Sequence, residues 1–177
     1  MPGSTPPSLH PEFHALLGCL ARARCRYLVV GGQALAVAGR PRFTQDLDLL
    51  VEPGRANAVR VAEALEAFGF AELAAAVRTQ FVEPKRMATM GVPPVAVDIM
   101  TSITGVSFKR AWKGRVEVML EDGLRVPFLG VGDLIANKLA SGRDKDLIDV
   151  ANLREFLEHG GRVGRSKLAR PGRRRPR

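Results

Sequence analysis

The sequence predicts an α+β fold, a small mixed β-sheet flanked by helices and completed by a C-terminal helical pair, on three observations. Stretches with apolar residues at helical spacing alternate with short β-prone runs along most of the chain. One of those runs stops on Gly31-Gly32 and passes straight into a helix-forming stretch. Two others, otherwise aliphatic, carry acids: Asp46 and Asp48 in the first, Asp98 in the second. The 177 residues, 46% hydrophobic and 25% charged, are enough to bury one real core, so one domain with ragged ends is expected.

Residues 1–11, rich in Pro and Ser, read as a flexible N-terminal arm. From Glu12 to Ala23, Phe13, Leu16, Leu17 and Leu20 mark one helix face. Residues 26–30 form a short β-prone run, and Gln33 to Ala38 a helix stopped by Gly39. Asp46 to Val51 alternates acid and aliphatic before turning wholly apolar, the pattern of a strand with one wet and one buried end, closed by Pro53-Gly54. Arg55 to Phe68 is an amphipathic helix stopped by Gly69. Strands are expected at 77–82, 86–90 and 95–100, followed by a short helix at 108–112. Asp122-Gly123 between β-prone runs at 115–120 and 125–129 signals a hairpin. Two helices, 131–140 and 145–157, split by Ser141-Gly142-Arg143, end the folded domain, whose limits are 12–161.

Charge and cysteine usage narrow the class. The formal charge of +9 is concentrated at the end: residues 162–177 hold eight basic side chains and no acid, which leaves +1 on the remainder. Such an Arg- and Pro-rich tail is expected to be disordered, able to grip phosphate backbones or only to keep the chain in solution. Cys19 and Cys25 are too few for a disulfide framework and lack companions spaced for a metal site, so two reduced structural thiols are expected. No apolar run reaches the roughly 18–20 residues that cross a bilayer. The opening residues lack the layout of a secretory signal, and a soluble cytoplasmic protein is expected, with no membrane partner.

Asp46 and Asp48, two apart on a strand, project from one face roughly 7 Å apart along the chain. Two like charges there attract a hard cation, and Asp98, an acid in an apolar strand that is costly to bury unpaired, is the candidate third oxygen donor for magnesium. The Gly31-Gly32 turn would expose main-chain N–H groups at a helix start, where phosphate oxygens bind. Together these features describe nucleotidyl transfer at a two-metal site. Neither a G-x-x-x-x-G-K-[ST] nor a G-x-G-x-x-G phosphate motif occurs.

Gly31-Gly32-Gln33-Ala34-Leu35-Ala36 followed by Arg42-Phe43-Thr44-Gln45-Asp46-Leu47-Asp48-Leu49 resembles the signature of the DNA polymerase β-like nucleotidyltransferase superfamily. The stretch from Asp133 to Asp149, with Lys138, Arg143, Lys145 and Asp146, resembles a later motif of the AbiEii group, the toxin half of type IV toxin–antitoxin pairs. The resemblance covers residues 26–157. It implies that Gly31 and Gly32, with Gln33, Arg42 and Thr44 beside them, meet the nucleotide, that Asp46, Asp48 and Asp98 bind magnesium, and that Lys138 and Asp146 are catalytic or nucleotide-contacting. Lys138 lies in an otherwise apolar helix. Arg143 and Lys145 either neutralise triphosphate or pair with Asp146 and Asp149 along their helix. Two departures from the family are visible: Gly32 stands where many members have serine, and the chain is short for the toxin group, which carries a larger helical region after the core.

The expected activity is transfer of a nucleoside monophosphate from a nucleoside triphosphate to an acceptor hydroxyl, releasing pyrophosphate. A tRNA or other RNA acceptor, or a protein, leads, together with a cognate antitoxin partner. A small-molecule acceptor of the aminoglycoside type, a non-catalytic module of the same fold, and a metal-dependent phosphohydrolase are the alternatives.

Overall fold

The computed structural model describes residues 9–41 and 44–160. The expected basic tail, residues 1–8 of the N-terminal arm, and Arg42 lie outside them, while His10 caps α1 and Pro11 begins it. Seven helices and six strands follow one another as α1 (Pro11–Arg22), β1 (Tyr27–Val30), α2 (Gly31–Val37), β2 (Asp46–Val51), α3 (Arg55–Phe68), α4 (Ala71–Gln80), β3 (Met87–Met90), β4 (Ala96–Met100), α5 (Phe108–Lys113), β5 (Val116–Met119), β6 (Arg125–Phe128), α6 (Val131–Ser141) and α7 (Asp144–Glu158).

The strands form one mixed sheet in the order β3-β4-β2-β1-β6-β5. β1 runs antiparallel to β2 and parallel to β6, while β2 runs parallel to β4. β1 and β2, the central pair, are also the most apolar: Leu28, Val29, Leu47, Leu49 and Leu50 are fully buried. A strand covered on both faces must be apolar on both, and β2 obeys this only in its second half. Leu50, on the same face as Asp48, is buried, so that face is covered below the carboxylate and opens toward Asp46.

One element departs from the sequence reading. Residues 77–82, expected as a strand, form the end of helix α4 and the residues just after it. The run Ala74-Ala75-Ala76 ahead of them is the strongest helix former in the chain, and Ala74 and Val77 fall on one buried face. Gly69, in the left-handed region at φ 102°, ends α3 and lets α4 fold back against it. The other expected elements appear within about two residues of their limits.

The far edge of the central pair is tied by one side chain. Asn57 of α3, buried, accepts from the Arg26 N–H at 2.8 Å and donates to the carbonyls of Arg26 and Glu52 at 3.0 and 2.9 Å. It satisfies main-chain groups that the strand ends leave unpaired. Both cysteines are free and buried, and burial, modulated by Arg60 and Glu63, pushes the Cys25 thiol up to about 12, which keeps it protonated and unreactive. No helix among the described residues is long and apolar enough to cross a membrane.

Candidate functional site

Sheet register brings the acids together. Asp48 of β2 and Asp98 of β4 are direct partners in the parallel pair, so their side chains stand side by side on one face. Asp46 pairs with Ala96, two residues toward the open end, and is exposed. The carboxylates expected to converge are therefore arranged as a registered pair and a third acid on the same face. Among the described residues, no three His, Cys, Asp or Glu side chains are grouped closely enough to hold a metal ion by themselves.

The glycine turn leans on the same pair. The chain leaves β1 at Val30, which pairs with Asp48, and Gly31 enters at φ 63°, a conformation open to glycine and costly for other residues. A Cβ on Gly31 would strike the Asp48 carboxylate, and one on Gly32 would press the Thr44 side chain at 2.9 Å. The two glycines thus form the first turn of α2 rather than a separate turn ahead of it. No side chain among the described residues caps that turn. Gln33 is half-buried within it, and Thr44 donates a long 3.4 Å hydrogen bond to the main-chain oxygen of Asp46.

The electrostatics of the pair are unbalanced. Burial, joined by the negative charges of Asp98 and Asp46, raises the Asp48 carboxyl to about 6, against the pull of Arg143 and Lys145. Thr89 Oγ1 on β3 donates to Asp98 Oδ1 at 2.6 Å. The sequence reading missed Thr89; its only signal is period-two alternation in a short strand, which places it beside Asp98 once the antiparallel pair Thr89↔Asp98 is known.

Lys138 and Asp146 form a separate cluster. The Lys138 ammonium, 4% exposed, donates to Asp146 Oδ1 at 3.0 Å and to Asp149 Oδ2 at 2.6 Å. Arg143 Nε donates to the other Asp146 oxygen at 2.6 Å. Burial alone would raise Asp146, but the hydrogen bonds from Arg143, Lys138 and Ser141 prevail and bring it down to about 2. The charge of Lys138 thus has two carboxylate partners within the protein. Arg143 is the link between the two clusters, bonded to Asp146 while its charge acts on Asp48; Lys145, exposed, acts on Asp48 from the same helix start.

The oxygen donors suit magnesium, which is usually held through one or two carboxylates and the substrate's own phosphates. A registered pair with a third acid beside it meets that requirement, and the raised Asp48 carboxyl marks negative charge that a cation would relieve.

Comparison with known proteins agrees with this architecture. A protein of Thermotoga maritima described provisionally as a nucleotidyltransferase has a similar solved structure, with a TM-score of 0.50 over 83% of this chain and 91% of its own. At 16% identity the likeness is one of fold. No curated protein matches the sequence. Residues 10–156 match the family described as "Nucleotidyltransferase of unknown function (DUF6036)", and the chain belongs to that family.

Proposed function

We propose that this protein is a magnesium-dependent nucleotidyltransferase that moves a nucleoside monophosphate from a nucleoside triphosphate to an acceptor hydroxyl, with RNA, tRNA in particular, as the favoured acceptor. The observation that carries the proposal is the registered Asp48–Asp98 pair with Gly31 packed against Asp48. A triphosphate lying on the glycine turn would have its phosphates beside those carboxylates.

Asp48 and Asp98, with Asp46 alongside, would hold the magnesium, which when bound neutralises triphosphate charge and acidifies the attacking hydroxyl. The acceptor oxygen forms a bond to the α-phosphorus, the bond from that phosphorus to the bridging oxygen breaks, and pyrophosphate leaves. Asp98 would double as the base that takes the hydroxyl proton, steadied by the hydrogen bond it accepts from Thr89. Arg143 and Lys145, whose charges act on Asp48, would offset charge on the triphosphate. The motif from Asp133 to Asp149 supports an AbiEii-like, toxin-type member with a cognate antitoxin, and Lys138 then acts by fixing Asp146 and the start of α7 rather than by touching nucleotide.

The test is incubation with each labelled triphosphate, magnesium and total RNA, comparing wild type with Asp48→Ala. Labelled RNA and pyrophosphate from wild type, and neither from the variant, are expected. Free monophosphate with no labelled acceptor would point to hydrolysis instead.

A further inference from the structure

A second cluster of charge stands at the same edge of the sheet. Val29, just before the glycine turn, pairs with Phe128 of β6, and Phe128 pairs with Val116 of β5. The ends of β1, β6 and β5 therefore lie in a row, with Gly31, Gly130 and Gly114 following or preceding them. Three strand steps of ~4.8 Å separate β2 from β5, so the far end of this row is about 14 Å from Asp48. There a cleft of about 570 Å³ opens, lined by Ser107, Lys109, Arg110, Lys113, Gly114 and Asp133.

Positive side chains gather around the cleft. The six-residue helix α5 concentrates Lys109, Arg110 and Lys113, all exposed. Asp133, buried, is bonded to Arg110 at 2.6 Å and so pins that guanidinium in place. Lys109 and Lys113 have no ion-pair partner among the described residues, and the residues outside the description contain no Asp or Glu. They repel each other at i,i+4, an unfavourable arrangement that a bound anion would relieve. Since the chain before the basic tail carries only +1, three bases on one short helix are a local focus rather than a general excess.

We propose that this cleft is a second phosphate-binding site, occupied by backbone phosphates of a single-stranded nucleic-acid acceptor whose reacting end lies at Asp48 and Asp98. The proposal rests on the nucleotidyl-transfer reading only for the direction in which the strand runs. Its basic side chains, its open shape and its place beside Gly114 at the start of β5 are those of a backbone track, in which basic side chains fix the strand without reading its bases.

The experiment measures binding by the full chain of a labelled single-stranded oligonucleotide, a methylphosphonate oligonucleotide of the same sequence, inorganic pyrophosphate, polyglutamate and a nucleoside triphosphate over a salt series. The variants are Lys109→Glu/Lys113→Glu and Lys109→Gln/Lys113→Gln; both positions are exposed, and circular dichroism checks that the fold is kept. For the charged oligonucleotide, the Glu variant is expected to lose at least about tenfold at low salt. In both variants the salt slope should fall by about 1.4, two contacts at ~0.7 each. Triphosphate binding should not change. Unchanged oligonucleotide affinity and slope would overturn the site, as would a loss confined to the Glu variant, which would be repulsion introduced by the substitution. An equal loss for the uncharged oligonucleotide, for pyrophosphate or for polyglutamate would overturn the assignment to backbone phosphates. Because the readout is binding, a wild-type chain that transfers no nucleotide would defeat the proposed activity while leaving this result standing.

Discussion

Two groups of acids near the start of α7 have opposite electrostatics. In one, Asp146 and Asp149 receive hydrogen bonds from Lys138 and Arg143, and Asp146 falls to about 2. In the other, Asp48 and Asp98 are sheet partners whose charges add, and Asp48 rises to about 6. Both lie in motifs that the family resemblance marks as functional. The first is balanced by protein groups. The second is left in deficit of positive charge, which a bound cation would relieve.

The largest expected effect breaks the balanced cluster. Lys138→Met leaves two buried carboxylates without their ammonium and should cost about 3–5 kcal/mol of stability, read by denaturant unfolding. If Lys138 instead touches nucleotide, stability will hold and only transfer will fail.

Next comes Gly31→Ala, which adds about 1–2 kcal/mol of left-handed strain and drives a methyl into the Asp48 carboxylate. Reduced melting temperature together with loss of transfer is expected. A variant with wild-type activity would separate the glycine turn from the site.

The pH response should distinguish the two clusters without ligand. Asp48 has a folded-state pKa above its unfolded value, so in metal-free protein its contribution to stability is full below about pH 4 and is lost as pH rises through about 6. Asp48→Asn should abolish that decline and be at least as stable as wild type at neutral pH while inactive. Asp146 runs the other way, its contribution present above about pH 4 and lost as pH falls toward about 2. Melting curves of wild type, Asp48→Asn and Asp146→Asn across pH 2–8 would expose a wrong sign in either.

The smallest effect is at Thr89. Thr89→Val removes the 2.6 Å hydrogen bond to Asp98, worth about 1 kcal/mol, and should slow transfer roughly fivefold while lowering the melting temperature by only about 2–4 °C. Ser at this position should restore most of the rate, whereas a rate unchanged by Val would make the bond incidental.

Much of the architecture was legible because it is written in local signals. Asp46 to Val51 announced a strand with a wet end by its alternation, and Arg55 to Phe68 a helix by its spacing and closing glycine. The failure at 77–82 is equally physical: β-branched and aromatic residues suggested a strand, but the alanines upstream and a left-handed Gly69 favoured a helix packed on α3. Asp46 and Asp48 could be singled out from sequence because their shared face follows from a period of two. Thr89 could not, because its place beside Asp98 exists only through pairing of two strands.

By itself, the sequence determined every element but α4, the break in the chain at Gly31-Gly32 and the residue types at the candidate site, since each depends on neighbours a few positions away. The tertiary structure decided which charges meet. Register set Asp48 against Asp98, and the packing of α6 on α7 closed Lys138 onto Asp146 and Asp149. A side chain's charge is a local property, but whether that charge is satisfied depends on what a long-range contact brings within a few ångströms.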